Sequence, residues 1–343
     1  MRQKRGALKL GLLIVAMSPV LSRNGQARTV ITPLGEADDS CVHAIPKGGS
    51  IDVQTGDVVL KGAVVGHHDS CTVSSAPLRV PQQPDATVAS GATVASGAPG
   101  GIGTSWFDWS WANATHISGT PAFDSMYASW TVPADPFSQD GTFFYFFPSL
   151  QNNAAGCAAG HNTIIQPVLQ WGAAPQYGGH YWTIAAWEYY DCDTSCNNCS
   201  LGYSPPETVS AGDTIQGSIW QWRSDAWRIE AQDLTNGAWT YNDLYNIPSS
   251  WPRFNTAQGG VFEAYNLVSY TCSELSPTNV VTFNLQVLTE AGPSWNSFVD
   301  VMSGTHAVSW SPNFQNPSSP DCGWFTFVQP TYTSLYWNSK KSP

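Results

Sequence analysis

Positive charge is scarce in this chain. Its 343 residues hold 14 Lys and Arg against 25 Asp and Glu, and beyond residue 100 the basic side chains are Arg223, Arg228, Arg253, Lys340 and Lys341. Such a surface repels phosphate backbones and anionic bilayers, so neither nucleic acid nor a membrane is expected as a partner. Long apolar runs are missing as well. The first, Leu10 to Met17, stops at Ser18-Pro19, short of the ~18 residues a spanning helix needs. Familiar catalytic signatures are also absent. There is no Gly-x-Ser-x-Gly elbow, and the seven histidines are scattered without a triad order. No His-Glu-x-x-His places two imidazoles on one helix face for zinc. No Glu-x-Asp-x-x-Glu run lines up the paired carboxylates of a glucanase strand.

What is present divides the chain. Met1 to Lys9 is basic, a short apolar core follows, and Gly25-Gln26-Ala27 ends in small residues. This pattern predicts a signal peptide over 1–27 and a secreted product. Residues 28–80 form a small leader around Ile51–Leu60, where Thr55-Gly56-Asp57 predicts a hairpin turn. Residues 81–103 carry Ala-Thr-Val-Ala-Ser-Gly twice in tandem, the composition of a flexible linker. All sixteen tryptophans lie beyond it, so the aromatic core belongs to residues 104–343.

Eight cysteines in an exported chain favour disulfides over a zinc quartet of Cys157, Cys192, Cys196 and Cys199. Cys41 with Cys71, and Cys272 with Cys322, each close a segment with no competing cysteine inside it. No metal and no cofactor is expected. His67-His68-Asp69 reads as a solvated turn rather than a metal site.

Helical periodicity is absent after residue 104. Strand-like runs recur instead: 126–132, 142–147, 163–171, 180–190, 214–222, 227–233, 260–267, 280–288 and 324–328. Short strands separated by Gly, Pro, Asn and Asp predict an all-β antiparallel sandwich or barrel. Asn236-Gly237 is the strongest tight-turn signal, and Gly178-Gly179 predicts a second hairpin.

Two stretches carry chemistry. In Ile164–Gly172, strand alternation puts Gln166 and Gln170 on one face. Pro167 between them predicts an edge strand or a bulge. In Gly259–Tyr265, Glu263 is the lone charge between Arg253 and Glu274, set among apolar neighbours. A carboxylate there is costly unless a donor meets it or its pKa rises.

The order of motifs resembles that of the eqolisins, exported glutamic peptidases that use one glutamine and one glutamate. The residues that carry the resemblance are Ala128–Pro133, Val168-Leu-Gln-Trp-Gly172, Ala186-Trp-Glu-Tyr-Tyr190, Val209–Ile215, Gln232–Gly237 and Gly259–Glu263, across about residues 104–275. The resemblance implies a two-sheet antiparallel β-sandwich of the concanavalin A-like jelly-roll type. It implies a monomeric acid endopeptidase acting on polypeptide, with Gln170 and Glu263 catalytic. Substrate contacts would come from Tyr145, Gln166, Trp187 and Tyr265. Matching Trp187 leaves Glu188 displaced by one residue, on the opposite face of its strand. Residues 276–343 have no counterpart in the pattern.

Two other readings stay open. Glu263 could be a structural carboxylate tied to backbone donors or to Arg253. The domain could then be a lectin-like binding module, with Trp171, Trp182, Trp187, Trp220 and Trp222 lining a sugar-stacking groove.

Overall fold

The computed structural model describes residues 29–33, 35–72, 105–114, 122–137, 141–152, 160–172, 179–194, 198–265, 271–291, 298–300, 309–314 and 322–341. The expected signal peptide and linker, together with Cys157, Cys196 and Gly178, lie outside the described residues. No helix among those described is long and apolar enough to cross a membrane.

The leader supplies β1 (Thr29–Thr32), β2 (Gly35–Asp38), β3 (Val42–Ala44), β4 (Gly49–Asp52), β5 (Asp57–Leu60), β6 (Ala63–His67) and β7 (Cys71–Thr72). The next strands are β8 (Ser105–Asn113), β9 (Phe123–Thr131), β10 (Phe143–Gln151), β11 (Asn162–Trp171), β12 (Trp182–Cys192) and β13 (Asn198–Tyr203). Then come β14 (Glu207–Thr208), β15 (Thr214–Arg223), β16 (Ala226–Asp233), β17 (Trp239–Tyr245) and β18 (Thr256–Tyr265). The C-terminal part adds β19 (Val280–Ala291), β20 (Phe298–Asp300), β21 (Ser311–Phe314), β22 (Phe325–Gln329) and β23 (Tyr332–Tyr336).

These strands build two large, mostly antiparallel sheets, a β-sandwich as expected. The first runs β21-β8-β18-β10-β11-β12-β13-β3, and the second β22-β23-β19-β9-β15-β16-β17-β4-β5-β6. The leader does not stand apart. Its β3 adds in parallel to β13, and its β4 adds in parallel to β17, so it extends both sheets. The segment beyond 276 does likewise, through β19 beside β9 and β21 beside β8. Each addition pairs strand edges that would otherwise present unpaired N–H and C=O groups.

Side chains from the two inner faces interlock as large aromatics over small residues. Leu169, Trp171, Phe144, Phe146 and Trp130 share one cluster, and Ile165, Ala186, Ile219 and Leu244 another. Glycines set the closest approaches. A Cβ on Gly217 would lie 2.7 Å from Pro167 Cγ, and one on Gly260 would lie 2.4 Å from Phe283 Cδ2. The Gly259-Gly260 pair inside the glutamate strand is thus a packing requirement, set for Gly260 by Phe283 and for Gly259 by Ser110, Thr333 and Gln286.

Pro167 does not lie on an edge strand, because β11 is flanked by β10 and β12. The bulge belongs to the neighbour: β10 shifts register against β18 between Phe147 and Ser149. The β10–β11 register, carried through its gap, sets Pro148 opposite Pro167. Two residues without N–H groups face each other there, so the ladder loses its bonds at one place only.

Disulfides join Cys41 to Cys71 and Cys272 to Cys322, as the spacing predicts. Cys192 pairs with Cys199, which removes both from any zinc set. Three bridges among the described residues fit an oxidising, extracellular environment. The expected hairpin at 55–57 joins β4 to β5, and Gly237 takes its turn with φ of 82° between β16 and β17.

Candidate active site

Three adjacent strands of the first sheet bring the predicted pair into one row. Tyr145 on β10 is opposite Gln170 on β11 and opposite Glu263 on β18. Residues in register point the same way, so Gln170, Tyr145 and Glu263 project from the same face. That face is the outer one, since Leu169, Trp171, Phe262 and Ala264 point into the inter-sheet core. Two strand spacings put the Gln170 and Glu263 Cα atoms about 10 Å apart, with the Tyr145 side chain projecting from the strand between them.

Each member of the pair is held by an aromatic neighbour. Trp187 Nε1 donates to Gln170 Oε1 at 2.9 Å. An amide whose oxygen accepts from indole has its NH₂ turned the other way, so the flip of Gln170 is set by Trp187. Trp187 is itself stacked on Tyr203 at 5.0 Å. Tyr265, two residues along β18 and on the same face, donates its hydroxyl to Glu263 Oε1. Glu263 Oε2 is buried without a hydrogen-bond partner. Burial pushes the Glu263 carboxyl up to about 8, against which the Tyr265 hydroxyl pulls. The Tyr265 phenol is itself driven well up by burial and by the facing carboxylate. No ion pair between Glu263 and Arg253 occurs among the described residues, and Arg253 is exposed.

A peptidase needs an open groove here; the structure instead shows a covered face. Gln170 is 0% exposed and Glu263 2%. The cover includes the leader hairpin β1–β2, whose Val30, Ile31 and Ala37 join the cluster of Tyr145, Val168, Trp187, Tyr189 and Tyr265. Tyr145 Oη donates to the Ile31 carbonyl at 3.1 Å. Gln166 Nε2 donates to the Pro33 carbonyl at 2.9 Å. Thr32 is fully buried, and its hydroxyl meets Tyr189 Oη. Two side chains expected to contact substrate thus hold backbone carbonyls of the protein's own leader.

Sequence reasoning missed Tyr189 and the leader's contacts. Period-two alternation from Trp187 would have placed Tyr189 on this face. Nothing local in residues 29–38 signals where the hairpin docks. Glu188 does lie on the opposite face, between the sheets. Asn242 Nδ2 donates to its Oε2 at 2.7 Å, and burial pushes its carboxyl up to about 8.

The sugar-groove reading loses most of its residues. Trp171 and Trp182 pack between the sheets and Trp187 lies under the leader, all at 1% exposure or less. Trp220 and Trp222 remain on the far face of the second sheet, Trp222 exposed. The 67–69 turn also differs from expectation, because His68 is buried while His67 is exposed.

No family model matches the chain, and no curated protein matches it. Among solved structures, scytalido-glutamic peptidase bound to a peptide-based transition-state analogue is similar, with 14% identity and a TM-score of 0.42 over 69% of this chain and all of that one. A member of the eqolisin family, SCP-B, in complex with the tripeptide Ala-Ile-His, is similar at 14% identity and a TM-score of 0.40, again over 69% of this chain and 100% of its own. Aspergilloglutamic peptidase from Aspergillus niger gives 14% identity and a TM-score of 0.31 over 57% of this chain and 98% of its own.

Proposed function

We propose that this chain is a secreted endopeptidase in which Glu263 and Gln170 activate one water for attack on a peptide carbonyl. The observation that carries the proposal is the row itself: an amide and a buried carboxyl in register on three adjacent strands, each oriented by an aromatic hydrogen bond. Glu263, once ionised, takes a proton from the water. The Gln170 NH₂, turned away from Trp187, donates to the oxyanion of the tetrahedral intermediate. Glu263 then returns the proton to the leaving amine.

Tyr145 and Gln166 donate to backbone carbonyls of an extended substrate, as they do to Ile31 and Pro33. Trp187 and Tyr265 line the same face and hold the catalytic pair. The covered form is latent for two reasons. The hairpin occupies the substrate's place, and its burial keeps Glu263 protonated across the acid range, where a general base must be charged. Withdrawing the hairpin readmits water, lowers the carboxyl's pKa and frees the groove.

The test is hydrolysis of casein or a quenched peptide between pH 2 and 7 by the full chain, alongside Glu263→Gln and Gln170→Ala. Loss of one oxyanion donor is expected to slow kcat by about 10²–10³, and loss of the carboxyl by at least as much. Undiminished hydrolysis by both variants overturns the proposal.

A further inference from the structure

We propose that the stacked pair His43 and His68 makes the leader an acid-released cap over this face, with paired protonation prying the hairpin from its seat. The identity of the face as a peptidase site rests on the reading above; the release itself does not.

His43 lies on β3, and His68 directly follows β6. Their rings stack with centroids 4.1 Å apart and planes 20° from parallel. Each ring has a buried nitrogen without a hydrogen-bond partner, Nε2 of His43 and Nδ1 of His68. Neutral imidazoles tolerate this; a charged pair would place two cations face to face with no acceptor on those nitrogens. The neighbouring charges relieve the pair only in part. Asp57 and Asp69 both bond His67, at 3.1 and 3.3 Å, so these two carboxylates are engaged by a third imidazole. Asp69 favours the charged form of His43, while His67 opposes charge on both stacked rings. Burial holds the His68 imidazole down to about 3 and lowers His43 as well.

The pair sits where the cap is fastened. β3 is registered on β13, with His43 opposite Gly202, and a single 3-10 turn at Asp39–Cys41 separates it from β2 of the hairpin. His68 is held through its backbone N–H to the Gly56 carbonyl at 2.7 Å, beside the β4–β6 meander that is anchored on β17. Separating the two rings strains the seat of β3 on β13, a strand that also pairs with Cys71 through Cys199, while the meander stays attached. The Cys41–Cys71 bridge keeps the freed hairpin tethered.

Hydrogen exchange of the full chain tests this, in a Glu263→Gln background that prevents self-cleavage, with rates corrected for intrinsic pH dependence. Protection of residues 29–38 is expected to fall at least tenfold between pH 7 and pH 3, and to persist at pH 3 when His43→Phe and His68→Phe keep the stack but cannot charge. Equal protection of the unsubstituted histidine pair at both pH values overturns the inference, as does an equal loss in the Phe pair. Should the Phe pair not fold, proton NMR of the parent decides: His68 is expected to titrate far below 6.5 together with loss of cap protection, and an ordinary titration with the cap intact overturns it. A cap that opens in acid while the parent chain, with Glu263 in place, hydrolyses no casein supports this inference and defeats the peptidase reading.

Discussion

Replacing Glu263 by glutamine is expected to flatten the fall of stability on the alkaline side. Burial holds this carboxyl up to about 8, against an ordinary 4.5 in the unfolded chain. Between those values the folded chain holds a proton that the unfolded chain has lost. The stabilisation linked to that proton is complete below 4.5 and disappears as pH rises through 8. Each such carboxyl lowers stability by about 1.4 kcal/mol per pH unit, or about 2 kcal/mol between pH 6.5 and 8. Glu188, across the sheet, is pushed up to the same value, so the two together remove about 4 kcal/mol over that window. His68, held down to about 3, is neutral in both states above its ordinary 6.5 and does not enter. Guanidinium unfolding followed by tryptophan fluorescence at half-unit steps from pH 6.5 to 8 measures the slope. Glu263→Gln should halve the part due to these two glutamates. The same pH dependence for the variant and the parent would refute the burial argument.

Other outcomes follow from named contacts. Trp187→Phe keeps the stack on Tyr203 but removes the donor to Gln170; kcat for peptide hydrolysis should fall at least tenfold with KM little changed, whereas an unchanged kcat would show that the amide needs no such orientation. Ile31→Asp places a charge in the buried cluster under the hairpin and should raise acrylamide quenching of the tryptophans and shorten any activation lag. Gly260→Val drives a side chain into the Phe283 ring and should destabilise the fold by about 1–3 kcal/mol or more in a urea melt. Replacing Cys272 and Cys322 by serine opens a loop spanning 50 residues in sequence and should cost about 4 kcal/mol, read as a lower thermal midpoint.

Much of the architecture was legible because it rests on local rules. Strand-like runs bounded by Gly, Pro, Asn and Asp marked nine strands, and Thr55-Gly56-Asp57 and Asn236-Gly237 marked two turns. The face shared by Gln166 and Gln170 followed from alternation alone. Ser105–Asn113 and Asn198–Tyr203 carry no β-branched residue and were not among the marked runs; their pairing with β18 and β12 defines them. Pro167 misled because its tolerance depends on Pro148 of another strand, a non-local fact. The covering of the site was illegible for the same reason. Residues 29–38 are an unremarkable short hairpin in sequence, and only the carbonyls of Ile31 and Pro33 meeting Tyr145 and Gln166 give them their place. His68 read as solvated because nothing near it in sequence shows the His43 ring that buries it.

A double-mutant cycle on kcat/KM tests the central claim most directly, comparing Gln170→Ala, Glu263→Gln and the two combined on one quenched peptide after acid opening. If both side chains serve the same water, each single change removes most of the activity and the pair is no slower than Glu263→Gln alone. Singles that hydrolyse as fast as the parent, or losses that simply multiply in the double variant, would contradict it.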